Sequence, residues 1–339
     1  MPKTQQTPPN LPSKIRLSIG TAITANLLDG KLDVKPATAY LMTYKDGKCT
    51  ANCAFCPQAR ASKSNTELLS RITWPTFPTA KALNAVAEAA KNGEFRRVCI
   101  QALNYPDVFK HLQATVQQLK ADTDIPISVS CQPQKPQNIQ LLKDAGANRL
   151  GIALDAATEE IFSKVKGADA GSGYSWANQF RQLQWALQVF GKGNVSTHLI
   201  VGLGETEKQA ATLIQRCVDM DVLPALFAFT PIRGTALEGR SQPSIETYRR
   251  VQLARYLIVH KLTRLERMRF GEKDAIIDYG IGLGALETVI SKGTPFQTSG
   301  CPDCNRPFYN EKPSGPLYNY PRPLSTQEIT ELKKQVLPS

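Results

Sequence analysis

Eight short runs rich in β-branched and apolar residues recur along this chain, and all but the last are followed by a run of helical character. The pattern predicts strands over 37–44, 97–102, 126–131, 148–154, 194–201 and 223–229, with two weaker ones over 267–271 and 295–299. It predicts helices over 79–91, 108–120, 137–145, 174–190, 206–220, 245–262 and 283–292. Strict alternation of this kind demands an α/β fold with a parallel sheet. A TIM-type (β/α)8 barrel satisfies it, as does a partial (β/α)6 barrel with appended C-terminal elements. Ahead of the first strand, Ile15, Ile19, Ile23 and Leu27 have helical spacing within 11–33, behind a polar, proline-rich tail over 1–12 that is expected to be disordered. The expected organisation is a tail and helical extension over 1–36, a barrel over 37–299, and a cysteine-containing extension over 300–339 that covers the barrel mouth.

Chemistry in such barrels sits at the C-terminal ends of the strands. Directly after the first strand comes Cys49-Thr-Ala-Asn-Cys53-Ala-Phe55-Cys56, a C-x3-C-x2-C spacing. Three thiolates are one short of a closed zinc site, whereas a 4Fe-4S cluster held by three cysteines keeps one iron free for a small molecule. The competing reading is a zinc knuckle joining Cys53 and Cys56 to Cys301 and Cys304, which leaves Cys49 idle. Eight cysteines in 339 residues do not make a disulfide scaffold, and clustered ones read better as ligands in a reducing compartment.

A net charge of +12 implies an anionic partner. An acidic carrier protein and nucleic acid both qualify, but no run of five basic residues demands a nucleic-acid groove. No apolar run reaches the roughly 18 residues a membrane span needs, and the polar N-terminus has no apolar signal segment. The expected location is cytoplasmic.

The cysteine spacing, with Phe55 before the third cysteine, resembles the signature of the radical S-adenosylmethionine superfamily. Pro57-Gln58-Ala59-Arg60 resembles its biotin synthase branch. The resemblance implies a 4Fe-4S cluster on Cys49, Cys53 and Cys56 whose open iron binds S-adenosyl-L-methionine, and sulfur insertion at unactivated carbon. It implies cofactor contacts at Phe55, Gln101 and Asn104, at Asp155 for ribose hydroxyls, and at the Gly202-Leu203-Gly204-Glu205 element. In biotin synthases, cysteines on the second and third strands help to hold a second, sulfur-donating cluster, and Cys99 and Cys131 stand there. Core packing is the other reading of each. A third such cysteine is replaced by Ser196, and the family's arginine ligand has a candidate in Arg267.

Cys301 and Cys304 could join Cys99 and Cys131 in an auxiliary Fe-S site, expected to be 4Fe-4S. A separate C-terminal cluster or zinc site is the alternative. Cys217, mid-helix, reads as a small buried hydrophobe. The C-terminal cysteine pair resembles biotin-synthase-related proteins that include the two-component lipoyl synthases of archaea and some bacteria. That resemblance implies an octanoyl chain on an acidic lipoyl carrier as substrate, an electron donor such as ferredoxin or flavodoxin, and a partner radical SAM subunit. A biotin synthase or relative acting on a free small molecule, and a tRNA methylthiolation enzyme, are the alternatives. No catalytic acid or base stands out. His198, although on a strand, reads as structural.

Overall fold

Thr38–Thr43 is buried at every position, as a strand covered on both faces must be. In a computed structural model describing residues 8–336, it is the second strand of a largely parallel sheet. The strands are β1 (Lys14–Leu17), β2 (Thr38–Thr43), β3 (Leu68–Leu69), β4 (Ile72–Thr73), β5 (Thr76–Pro78), β6 (Arg97–Gln101), β7 (Ile127–Ser130), β8 (Arg149–Gly151), β9 (Val195–Val201), β10 (Leu223–Ala228), β11 (Arg269–Phe270) and β12 (Ile276–Asp278). The helices are α1 (Ile19–Thr24), α2 (Thr79–Lys91), α3 (Val108–Asp122), α4 (Pro136–Asp144), α5 (Glu159–Val165), α6 (Trp176–Phe190), α7 (Glu207–Asp219), α8 (Ile245–Val259), α9 (Leu283–Ser291) and α10 (Thr326–Val336). None of the described helices is long and apolar enough to cross a membrane.

The main sheet has the order β10-β9-β8-β7-β6-β2-β1-β5. Its six strands from β2 to β10 pair in parallel, while β1 runs antiparallel to both β2 and β5. Helices return the chain between the parallel strands, so the α/β expectation holds in its partial (β/α)6 form. Local chemistry starts these helices where they start. Ser175 and Ser244 accept the N–H groups of Asn178 and Thr247, and α7 opens on a reciprocal Thr206/Gln209 capping box.

Four expectations need correction. The helix over 11–33 is instead β1 followed by the short α1. Side chains four apart suit either, but Ile15, Arg16 and Leu17 pair with Thr43, Met42 and Leu41 of β2, and Ser18 starts α1 only afterwards. The segment assigned to the N-terminal extension thus contributes a strand to the sheet. The seventh strand is only β11, hairpinned with β12 apart from the main sheet. The eighth is a 3-10 turn, Thr294–Phe296, whose proline lacks the N–H a ladder needs. α10 went unpredicted, although Ser325 and Glu328 form the reciprocal cap of an S-x-x-E helix start. Of the tail over 1–12, residues 1–7 lie outside the described residues.

The C-terminal extension contacts the sheet at more than one level. Along β10, the Leu226 N–H donates to Ser299 Oγ at 2.7 Å and Arg306 Nη2 donates to the Leu226 carbonyl at 3.3 Å. The extension then reaches the beginnings of β2 and β6. Thr38 Oγ1 donates to the Asp303 carbonyl, Arg97 Nε donates to the Pro302 carbonyl, and Arg96 pairs with Asp303 at 2.6 Å. Residues 301–306 therefore lie at the end where the strands begin, and further along the Asn310 carbonyl accepts from Thr230 just past the end of β10. Spacing identifies a cysteine pair but carries no direction; its backbone acceptors find their donors on the strand starts.

Candidate active site

A cavity of about 220 Å³ runs inside the sheet, from residues at the strand starts to the loops at their ends. Strand register sets its levels. Tyr40, Cys99, Ser128 and Arg149 are cross-strand partners on β2, β6, β7 and β8, and all four line the cavity. They form its floor. At the other end, Phe55, Cys56 and Asp155 line the rim.

The rim is built by the loop after β2. Cys49 is buried there, with Cys53 and Cys56 partly exposed. Cys49 Sγ accepts the backbone N–H groups of Asn104 at 3.1 Å and Ala51 at 3.4 Å. Loss of water pushes the Cys53 thiol far up, with the Lys166 charge opposing, and pushes Cys56 up to about 12. The loop docks on the end of α5 and the segment that follows it: Ala54 N–H donates to the Val165 carbonyl at 2.7 Å, and the Asn52 amide donates to the Ala170 carbonyl at 2.6 Å. Phe55 packs in the same place with Phe162 and Phe229.

Asp155 follows β8 in the left-handed region, at φ 68. Its N–H donates to the His198 carbonyl and its carbonyl accepts from Ile200, so the turn is held from both sides. Its side chain, 10% exposed, pairs at 2.6 Å with the ammonium of Lys166, itself 2% exposed. Lys166 also donates to the Ala153 carbonyl and lies 5.6 Å from the centre of the Tyr174 ring. Sequence reasoning missed Lys166, which lies 11 residues beyond its partner in no recognisable motif.

The remaining cofactor candidates divide. Gln101 lines the cavity and donates to Cys99 Sγ at 3.1 Å. Asn104 braces the cysteine loop, its carbonyl accepting from Thr50 and its amide meeting the Tyr174 hydroxyl. Gly202, Gly204 and Glu205 do not line the cavity; they form a turn behind Phe229. The Glu205 carboxylate accepts the Gly202 and Leu203 N–H groups at 2.6 and 3.0 Å, and burial raises its pKa. A Cβ on Gly202 would lie 2.7 Å from Pro243, so this close approach is a packing requirement. His198 lines the cavity against Phe227 and is pushed down to about 4, mainly by burial.

Three more cysteines meet at the floor. Burial raises the Cys99 thiol, and the neighbouring Cys301 and Cys304 raise it further. Ser128 Oγ donates to Cys301 Sγ at 3.8 Å, and Cys304 Sγ lies 3.5 Å from the Tyr40 hydroxyl. Around them stand Arg97, Arg149 and Arg306, 6%, 8% and 8% exposed. Among the described residues none of these arginines forms an ion pair. The buried Nε–H groups of Arg149 and Arg306 have no partner. Arg306 stacks 3.7 Å from the centre of the Phe227 ring. Burial pushes the Glu311 carboxyl up to about 7, with the Arg306 charge opposing.

Two expected ligands are elsewhere. Cys131 belongs to the main apolar core and burial alone raises its thiol, because Ser128 and Ser130 take the inward positions of β7 and turn the odd-numbered side chains towards the helices. Arg267 is exposed on a 3-10 turn before β11, remote from the cavity lining. Ser196 does line the cavity. Among the described residues, no three His, Cys, Asp or Glu side chains close on a single metal ion. The thiolates of a cubane each bind a different iron and need not converge on one point.

Residues 47–217 match the Radical SAM superfamily. The biotin synthase of Methylibium petroleiphilum is 26% identical over 274 residues, covering 78% of both chains. That of a Cyanothece strain is 26% identical over 212 residues, covering 60% of this chain and 53% of its own length. Among solved structures, methylornithine synthase superposes with a TM-score of 0.50 at 16% identity, over 71% of this chain and 67% of that one, a likeness of fold. The cysteine loop suits the superfamily's cluster: it offers three thiols, with two backbone N–H groups already directed at the first sulfur. With about half of its length matched, the chain belongs to the radical SAM superfamily, whose members use a 4Fe-4S cluster and S-adenosyl-L-methionine.

Proposed function

We propose that this protein inserts sulfur into an unactivated C–H bond, with a second, auxiliary iron-sulfur cluster held by Cys99, Cys301 and Cys304. The observation that carries this reading is the pair of thiol groups at opposite ends of one cavity. When bound, the rim cluster with S-adenosyl-L-methionine supplies a radical strong enough to take a hydrogen atom from saturated carbon, and the floor cluster supplies the sulfide. The chain's own part is to hold the substrate between them and exclude water.

The floor suits an anionic group. Isolated buried charge costs several kcal/mol, and Arg97, Arg149 and Arg306 lack carboxylate partners among the described residues. Three thiolates on an iron-sulfur core supply the missing negative charge. At the rim, Asp155 offers a carboxylate oxygen to ribose hydroxyls, and Phe55 borders the same space.

The substrate we favour is an octanoyl chain on a lipoyl carrier protein, as for a lipoyl synthase component. Phe55, Leu69, Trp74, Ile200 and Phe227 give the cavity an apolar lining suited to an alkyl chain, and the charge of +12 suits an acidic carrier. The biotin synthase relatives favour a second reading, a free small molecule such as dethiobiotin. Reconstituted protein with dithionite and S-adenosyl-L-methionine is expected to release 5′-deoxyadenosine and thiolate an octanoylated carrier peptide. Thiolation of dethiobiotin instead would transfer the assignment to the second reading; absence of 5′-deoxyadenosine would remove both.

A further inference from the structure

Two of the contacts that hold the rim loop lead to Lys166, the residue that follows α5. Val165, immediately before it, accepts from Ala54 between Cys53 and Phe55, and Tyr174, beneath its ammonium, meets Asn104, whose backbone N–H donates to Cys49. The ammonium has two oxygen acceptors, the Ala153 carbonyl at 2.5 Å and Asp155 Oδ2 at 2.6 Å. With its side chain 2% exposed, Lys166 is fixed in place and cannot be a solvated surface charge. Only one oxygen of Asp155 is taken, and Asp155 borders the cavity. Burying such a pair yields little net stability relative to an apolar one, so stability alone does not explain a lysine here.

We propose that Lys166 is the positioning residue of the rim: it holds the Asp155 carboxylate for the hydroxyls of S-adenosyl-L-methionine and places a fixed positive charge beside Cys53 that raises the reduction potential of the cluster on Cys49, Cys53 and Cys56. This rests on the cofactor reading given above. Net charge near a cluster is among the quantities that set its potential, and an anchored carboxylate loses less freedom when it accepts the cofactor's hydroxyls.

The test compares wild type, K166R, K166M and D155N as reconstituted protein, reading iron content, the midpoint potential of the rim cluster by redox-poised EPR, and the Kd for S-adenosyl-L-methionine. K166M should load iron fully, titrate at a more negative potential, and bind the cofactor about tenfold or more weakly. K166R should keep both properties near wild type. D155N should weaken binding without lowering the potential, which separates the two roles. If K166M fails to fold, D155N/K166M, which leaves no lone buried charge, is read against D155N instead of wild type, and its potential should be the more negative of the two. Wild-type potential and wild-type affinity in a fully loaded Lys166→Met protein would overturn the proposal. Failure of the wild-type rim to load a cluster would instead overturn the cofactor reading beneath it.

Discussion

The rim and the floor of the cavity both carry three thiols, but they balance charge in opposite ways. At the rim the buried cation Lys166 already has its anion, Asp155, at 2.6 Å. At the floor three buried guanidiniums form no ion pair among the described residues, and two keep Nε–H groups without acceptors. A neutralised end can receive a cofactor that carries charges of both signs, whereas an end with surplus positive charge is incomplete until something anionic enters. On the proposed reading this difference gives the two ends different tasks, although thiols alone would make them look alike.

The largest effect should separate these tasks outright. C49A/C53A/C56A is expected to lose all measurable 5′-deoxyadenosine formation while keeping the floor's iron, about half of the total for two 4Fe-4S clusters. Loss of all iron would show that the two ends are one unit. A smaller effect is expected from R149M/R306M, which removes buried charge but no thiolate. Floor iron should fall, and thiolated product should fall about tenfold or more relative to 5′-deoxyadenosine. Unchanged coupling would mean that the arginines only fill space.

The Cys131→Ala variant tests the boundary of the floor. Full iron content with a stability loss of about 1 kcal/mol in urea denaturation is expected, the ordinary result of shortening a core side chain. The weakest effect is a pH dependence. Burial holds the Glu311 carboxyl up at about 7 in the folded chain, against an ordinary 4.5. The folded state therefore retains a proton that the unfolded state has released between those values. Its contribution to stability is full below about 4.5 and is lost as pH rises towards 7. The urea midpoint of E311Q should fall less over that window than that of wild type.

The comparison also explains what could be read from the sequence. The parallel strands were legible because burial on both faces makes them continuous apolar runs, as in Thr38–Thr43. β1 was not, since its partner on β2 lies over twenty residues away and its apolar spacing equally suits a helix. The rim cysteines were legible because eight contiguous residues hold all three. The floor combines Cys99 with a segment about two hundred residues later, so direction and depth came only with the fold. One signal was nonetheless present: in Ile127-Ser128-Val129-Ser130-Cys131 the apolar residues alternate with serine, which puts Cys131 on the helix-facing side. For Arg267, resemblance pointed to a position that the fold leaves exposed and outside the cavity, whose lining holds Arg149 and Arg306.

The most direct measurement is a Mössbauer count of cluster iron in C301A/C304A beside wild type, with 5′-deoxyadenosine assayed on the same samples. Two separate clusters predict that cluster iron falls by about half while cleavage of S-adenosyl-L-methionine persists. Full cluster iron in the variant would contradict a cluster built on the C-terminal cysteines, and with it the division of the cavity into a radical end and a sulfur end.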